Sequence, residues 1–409
     1  MTTVQEKPLS YFSIPVLVAA LGYFVDIYDL LLFLIVRIKS LSDLGLTGEQ
    51  LTTEGLRITS WQMGGLMLGG ILWGVMGDKK GRLSVLFGSI LLYSLANVAN
   101  GFVQNVNQYI ICRFIAGIGL AGELGAGITL VSELISKEKR GIATSLVAGV
   151  GLTGAIAAFF IAQQFEWRTC YFIGGGLGLL LLLLRISVFE SGMFKNIRHS
   201  RVSKGNFFMF FTNATRFRKY ILSILIGLPT WYVIGILVSF SKEAGVAMNI
   251  QGEIDPGKAV MYAYAAISVG DILIGLLSQV LKSRKKALYV FYGITVLGII
   301  LYFRLHNGTA EQMYWVCALM GFGTGFWAIF VTMAAEQFGT NIRATATTTI
   351  PNMVRGALSI IILLFTVLKD ANGFIPAAIY TGILVVGLSV LATLFTEETF
   401  GKDLDYVEE

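Results

Sequence analysis

Apolar runs long enough to cross a bilayer recur along this chain, with short polar breaks between them. An α-helix rises about 1.5 Å per residue, so roughly 20 apolar residues span the hydrocarbon core. On that measure the pattern predicts twelve spans: about 11–36, 57–77, 83–103, 108–134, 141–164, 169–188, 219–241, 258–281, 287–304, 311–336, 343–368 and 374–396. The predicted fold is an all-α polytopic membrane protein. Span 1 departs from the apolar pattern in its middle. Asp26 and Asp29 are three residues apart and share one helix face, with Tyr23 on its flank. An ionised Asp near the bilayer centre costs about 2.5–3.5 kcal/mol on insertion scales. That face must line a wet cavity or meet a cation from another helix, which points to movement of something charged.

The polar breaks alternate in charge. Lys79, Lys80 and Arg82 follow span 2, and Lys137, Lys139 and Arg140 follow span 4. Lys282, Arg284, Lys285 and Lys286 follow span 8, and six Lys or Arg lie in the central connection at 189–218. The loops on the other side are poor in Lys and Arg, and 104–107 has none. This places both termini in the cytoplasm and makes the net charge of +6 an orientation signal, not a nucleic-acid site. A composition 55% hydrophobic and 14% charged fits the same class, and 47 glycines suit close helix packing in lipid. The first run is too long for a signal peptide, carries internal acids and lacks a small-residue cleavage site.

Cys112, Cys170 and Cys317 fall in or beside apolar spans, where they are small packing residues without a disulfide or metal spacing. His199 and His306 lie in loops, so no histidine is placed to relay protons inside the membrane. No catalytic constellation, metal site or cofactor motif is present, and no enzyme is expected.

The chain repeats itself. Gly117-Ile-Gly119 in span 4 matches Gly321-Phe-Gly323 in span 10. Glu133 precedes Arg140 by seven residues, as Glu336 precedes Arg343; Glu190-Ser191 follows span 6, as Glu398-Thr399 follows span 12. Repeats of this kind build many secondary transporters. They divide the chain into six-helix halves at 1–188 and 219–409, joined by a cytoplasmic linker at 189–218. Within the linker, 206–217 mixes aromatics with arginine; it lies on the membrane surface or is a solvated connection.

Gly74-x-x-x-Asp78-Lys79-x-Gly81-Arg82, between spans 2 and 3, resembles the signature loop of the major facilitator superfamily. The matching second-half positions, Ser278, Lys282, Ser283, Lys285 and Lys286, lack the acid. Phe24-x-Asp26-x-Tyr28-Asp29-Leu30 resembles span 1 of phosphate:proton symporters. Arg113-Phe-Ile-Ala-Gly117-Ile-Gly119-x-x-Gly122-Glu123 resembles span 4 of sugar porters and metabolite:proton symporters, although Leu124 replaces the tyrosine that phosphate symporters have there. Phe189-Glu190-Ser191 and Glu398-Thr399-Phe-Gly401-Lys402 resemble paired cytoplasmic motifs of sugar porters and organic-ion transporters. The resemblance implies two pseudo-symmetric halves with spans 1, 4, 7 and 10 around a central cavity.

Among Lys and Arg, Arg113 and Arg355 are the two read as lying within spans. By helix rise, Asp29 and Arg113 both sit roughly 8–10 Å below the outer surface and should meet. The pair is read as a fixed strut, or as one that releases its carboxylate when another partner protonates. The coupling proton is expected on Asp26, Asp29 or Glu123. Substrate contacts are expected from Tyr23, Arg113, Asn352, Arg355, Trp231 and Tyr232 (just after Pro229), and from Asp271, which is also a possible counter-ion of Arg355. Trp61 and Gln62 are weaker candidates. By resemblance, Asp78, Arg82, Glu133, Arg140, Glu190, Glu336, Arg343 and Glu398 are gating residues that clasp the halves on the cytoplasmic side. The expected function is proton-coupled transport of a small organic anion or zwitterion by a monomer in a bacterial inner membrane. The alternatives are an exporter or exchanger of such solutes, and a solute receptor on a transporter fold.

Overall fold

The computed structural model describes residues 14–80, 82–123, 125, 127, 147–189, 207–339 and 342–402. Helix lies in each predicted stretch over the residues described. The first half comprises span 1 (Ile14–Asp43), span 2 (Glu49–Lys80), span 3 (Arg82–Asn100), span 4 (Val106–Leu120), span 5 (Val147–Gln164) and span 6 (Trp167–Phe189). The second comprises span 7 (Ala214–Tyr232, continued by a π-helical turn, Val233–Val238), span 8 (Pro256–Val280) and span 9 (Arg284–Arg304). Span 10 follows in two pieces (Ala310–Thr324 and Trp327–Glu336), then span 11 (Arg343–Asn372) and span 12 (Phe374–Phe395). Span 1 runs seven residues past its predicted end at 36, and that extension carries Arg37 and Ser40 into the protein interior.

The repeated glycines do the same work in both halves. A methyl at Gly117 would overlap the carbonyl of Gln62 on span 2; one at Gly321 would overlap that of Ala263 on span 8. A methyl at Gly119 would meet the backbone N of Tyr93 on span 3, and one at Gly323 that of Thr295 on span 9. Spans 4 and 10 are thus set, two residues apart on each, between the two helices that precede them. Small residues let helix backbones approach closely where lipid provides no hydrophobic drive between helices.

Spans 7 and 10 are interrupted. Pro229 cannot donate to Leu225 four residues back, and Ser389 Oγ of span 12 donates to that carbonyl instead, at 2.7 Å. Tyr292 Oη of span 9 donates to the neighbouring Ile226 carbonyl at 2.9 Å. Freed backbone groups inside a membrane need such partners. Span 10 breaks at Gly325-Phe326, and its second piece begins at Trp327.

The halves meet along spans 2 and 11, which run antiparallel at close range. Gly70 abuts Asn352, Gly74 abuts Thr349, Gly356 abuts Met67, and Ser359 Oγ donates to the Ser60 carbonyl at 2.7 Å. Spans 5 and 8 also touch, with Gly149 against Ile272. In the linker, Phe210 stacks on Tyr220 of span 7 at 4.6 Å, while Phe208, Phe211 and Phe217 are exposed.

Candidate functional site

Gly22, Asp26, Asp29, Phe33 and Ser40 follow one another at helical spacing on span 1. Both aspartates are fully buried, and their oxygens have no hydrogen-bond partner among the described residues. The charges acting on Asp26 are, in order, the Arg355 guanidinium of the other half, Glu123 and Asp29. Tyr23, on the flank, packs against Gly151 of span 5 and lies in the field of Arg355, Asp26, Tyr264 and Asp271. The structure thus gathers Tyr23, Asp26, Asp271 and Arg355 from spans 1, 8 and 11 at one level.

Arg355 is buried and forms no ion pair among the described residues. Its Nη1 donates to Asn352 Oδ1 at 3.4 Å, its Nε is unpartnered, and the indole of Trp327 lies 5.7 Å from its guanidinium carbon. Asn352 is in turn fixed by its amide, which donates to the carbonyls of Ala121 (span 4) and Thr348, each at 2.8 Å. Asp271 is not the counter-ion of Arg355. Its Oδ1 accepts the N–H of Ala328 at 2.8 Å, capping the second piece of span 10, while its Oδ2 has no partner among the described residues. Trp327 was not singled out from sequence; its place at the break in span 10 puts it beside Arg355.

The two aromatics after Pro229 divide. Tyr232 donates to the Ala378 carbonyl of span 12 at 2.6 Å and packs against Gly382, away from Arg355. Residues one apart on a helix point about 100° apart, so the pair cannot share one wall. Trp231 is buried with its indole N–H unpartnered. It lies on the face of span 7 between Gly227, which touches Val354, and Gly235, which touches Leu358. Trp61 is half exposed against Phe114, whereas buried Gln62 donates to the Leu30 carbonyl at 3.1 Å, tying spans 2 and 1.

Asp29 and Arg113 do not close the ion pair that their matched depth predicts. Arg113 donates from Nε to Asn100 Oδ1 at 3.0 Å and from Nη2 to Asn97 Oδ1, and it lies 4.6 Å from the Tyr171 ring. Asparagines of span 3 occupy the guanidinium in place of the carboxylate. Glu123 is not a lone acid either. It forms a two-bond ion pair with Arg185 of span 6, Nη1 to Oε2 at 3.1 Å and Nη2 to Oε1, and both side chains are buried. Paired guanidinium–carboxylate forks are strong and geometrically specific. The pair sits against Gly22, where any side chain would collide with it.

Arg113 and Arg355 are therefore not the only cations inside the spans, since Arg37 and Arg185 are also fully buried. Arg37 bridges the halves at the C-terminal end of span 1. It pairs with Glu243 at 2.8 Å, donates to the Leu51 and Ser239 carbonyls at 3.2 Å, and lies 4.1 Å from the Phe240 ring. Gln163 to Asp255 and Lys369 to Glu49, each 3.0 Å, also cross between the halves on that side.

At the opposite end of the bundle from Arg37, Arg284 is the centre of the second half. It donates to Ser278 Oγ at 2.7 Å and to Glu336 Oε1 at 3.2 Å. Its own N–H and that of Lys285 reach Glu398, which also accepts from Ser283 Oγ. Arg343 Nε donates to the Ala335 and Phe338 carbonyls at 3.1 Å. These contacts of Glu336, Arg343 and Glu398 lie within one half and do not cross between halves. Glu133, Arg140 and Glu190, with Gly81 and the side chains of Asp78 and Arg82, lie outside the described residues.

Among the described residues, two buried carboxylates without partners and a buried guanidinium without a counter-ion, with spans broken beside them, are the features of a multi-pass carrier. The chain belongs to the Major Facilitator Superfamily, whose family model matches residues 15–363. It is a transporter, not an enzyme. It is similar to the niacin transporter NiaP of Acinetobacter baylyi, 25% identical over 100% of this chain and 99% of that one. It is also similar to the 3-(3-hydroxy-phenyl)propionate transporter of Escherichia coli, 28% identical over 80% and 81%, and to the sialic acid transporter NanX of Escherichia coli, 32% identical over 56% of each. The solved structure of the proton:xylose symporter XylE bound to 6-bromo-6-deoxy-D-glucose superposes with a TM-score of 0.70 at 16% identity, covering 95% of this chain and 97% of that one. At that identity the match shows the fold alone.

Proposed function

We propose that this transporter carries a small organic anion or zwitterion together with a proton, by alternating access across a bacterial inner membrane with both termini in the cytoplasm. The observation that carries the reading is Arg355, a buried guanidinium held by one amide and one indole and opposed by no bonded carboxylate among the described residues. A guanidinium cannot shed its charge. A carboxylate on the solute would supply the missing counter-charge in a forked bond. The named solutes of the three relatives (niacin, 3-(3-hydroxyphenyl)propionate and sialic acid) each bear a carboxyl group, which supports the anion side of the reading. Asp26 and Asp29 are the groups assigned the proton, and Glu123, already forked to Arg185, acts on them as a fixed charge. Tyr23, Trp231 and Asn352 flank the solute position.

The test is uptake by the purified chain in proteoliposomes, with nicotinate, 3-(3-hydroxyphenyl)propionate and N-acetylneuraminate as probes. Accumulation driven by an inside-alkaline pH gradient and abolished by a protonophore is expected for at least one probe. Accumulation that persists unchanged with the gradient collapsed would refute proton coupling. Uptake confined to permanently cationic solutes would refute the anion site.

A further inference from the structure

The interior of the first half, where span 1 faces spans 3, 4 and 6, gathers polar groups that no solute contact explains. The Asp29 carboxylate, the amide nitrogens of Asn97 and Asn100, Arg113 Nη1 and the hydroxyls of Tyr93 and Ser94 are all buried without a partner among the described residues. Each such group costs about 1–3 kcal/mol if left dry, so six of them in one region call for internal water, which takes up groups of this kind.

Their order along the helices is continuous. At the outer end Tyr109 donates to Ser40 Oγ at 3.2 Å and shares a 2.8 Å hydroxyl contact with Tyr171. The Tyr171 ring carries Arg113, which binds Asn100 and Asn97. Asp29 lies against Gly174, one turn inward from Tyr171 on span 6. Tyr93 is one turn inward from Asn97 on span 3, and the charges facing it are Glu123, Asp29, Asp26 and Arg185. The buried Glu123–Arg185 fork follows at the inner end.

We propose that this column is a proton route inside the first half, separate from the path of the solute, with the Tyr93 hydroxyl linking Asp29 to Asp26. The inference rests on the reading that Asp29 carries a coupled proton. In each step a hydroxyl or water takes a proton on its oxygen and gives up the one it held; the last O–H bond forms on a carboxylate oxygen. Asp29 is faced by Arg113 from span 4, Asn97 and Tyr93 from span 3, Tyr28 and Asp26 from its own helix and Gly174 from span 6. Asp29 thus stands between a fixed cation, Arg113, and a second acid, Asp26, and the route runs on from it through Tyr93 to Asp26.

The experiment needs no solute. Purified protein in lipid nanodiscs is taken through a pH jump while the infrared band of buried carboxylic acids is followed. The parts of the band lost in Asp29→Asn and in Asp26→Asn are assigned to Asp29 and to Asp26. A positioned proton-transfer group contributes about a hundredfold or more, so Tyr93→Phe should slow the appearance of the Asp26 part at least about tenfold. Ser94→Ala should slow it in the same direction. Melting temperature should hold in both variants, because removing an unpartnered hydroxyl breaks no protein hydrogen bond. Wild-type rates in both would overturn the route while leaving Asp29 as the proton carrier. If Asp29→Asn removes no titrating band, the coupling reading falls and the route with it.

Discussion

Arg37 and Glu243 join the two halves 2.8 Å apart at the C-terminal end of span 1, the arginine fully buried and the glutamate 18% exposed. Thr52 adds a second contact to the same carboxylate at 3.2 Å. Breaking one partner of a buried pair costs about 3–5 kcal/mol, and the partial exposure of Glu243 makes this one worth less. A clasp can bias the equilibrium only by its differential energy between states, and each 1.4 kcal/mol is about tenfold in population. In Arg37→Ala the outward-open population should rise. A cysteine placed at buried Ser241, with the native cysteines replaced, should then react faster with a membrane-impermeant maleimide added outside. Equal labelling rates in the two backgrounds would remove Arg37 from the outer closure.

Gly22→Ala tests the fork inside the first half. The new methyl would fall on Glu123 Oε1 and Arg185 Nη2, and both side chains are buried with no solvent to swing into. Loss of pair geometry at such a site costs about 3–5 kcal/mol, so a marked fall in melting temperature is expected. Gly64→Ala, where nothing lies within 4 Å, is the control. It should be neutral or stabilising by up to about 1 kcal/mol from helix propensity alone.

Asp26→Asn should abolish uphill uptake while exchange of solute across the membrane continues. The amide keeps the shape and cannot take up a second proton. Counterflow of labelled probe at equal pH on both sides measures the exchange. Gradient-driven accumulation at the wild-type level in this variant would eliminate Asp26 as a coupling group.

Much of this was readable from residues alone, and the failures share a cause. Helix existence and order follow from apolar run length, and the Gly-x-Gly repeat from its constant offset. Depth along a helix also follows from counting, which is why Asp29 and Arg113 do lie in one region. Rotation about the helix axis does not follow. Arg113 turns to Asn97 and Asn100, Tyr232 turns to span 12, and Asp271 turns to a backbone N–H. Arg185 lies inside the predicted sixth span, near its inner end, where a long cation can equally snorkel to the headgroups; only the packing shows it turned to Glu123. Arg37 fell one residue outside a span that in fact continues to Asp43. The break at Gly325-Phe326, and with it Trp327 beside Arg355, has no local signal beyond one glycine in a glycine-rich helix.

Glu398 predicts a pH dependence. Burial alone would raise its pKa, but the Ser283 hydroxyl and the N–H groups of Phe400, Arg284 and Lys285 hold the carboxyl below its ordinary 4.5. It also stands at the N-terminus of span 9, where negative charge is favoured. A depressed folded-state pKa means stability that is present above the unfolded value and lost as pH falls through the folded one. Glu398→Gln should therefore lower melting temperature modestly at neutral pH, with the difference from wild type shrinking below about pH 4.5. A gap that stays constant or widens on acidification would show that the carboxylate charge is not the source of the effect.

Under the proposed function, Arg355 sets the charge of the solute. It stands on span 11 one turn beyond Pro351 and beside Asn352, whose amide is spoken for by two carbonyls. Asp271 is engaged with Ala328, and Asp26 faces Arg355 without bonding it. Asp26 can neutralise the guanidinium only while ionised, so a proton on Asp26 uncovers Arg355 for an anion. Solute binding and proton binding are then mutually reinforcing, and linkage makes the coupling reciprocal. Arg355→Lys should weaken binding, because a point charge replaces a fork. Arg355→Ala should nearly abolish it, with the folded protein retained, since no ion pair is broken. Asp26→Asn, which mimics the protonated acid, should bind the anion at least as tightly as wild type and with less dependence on pH. Isothermal titration with nicotinate or another probe accepted in the uptake assay measures all three. Unchanged affinity in Arg355→Ala would move the anion site elsewhere, and a loss of affinity in Asp26→Asn equal to that in Arg355→Ala would reverse the assigned order of the two groups.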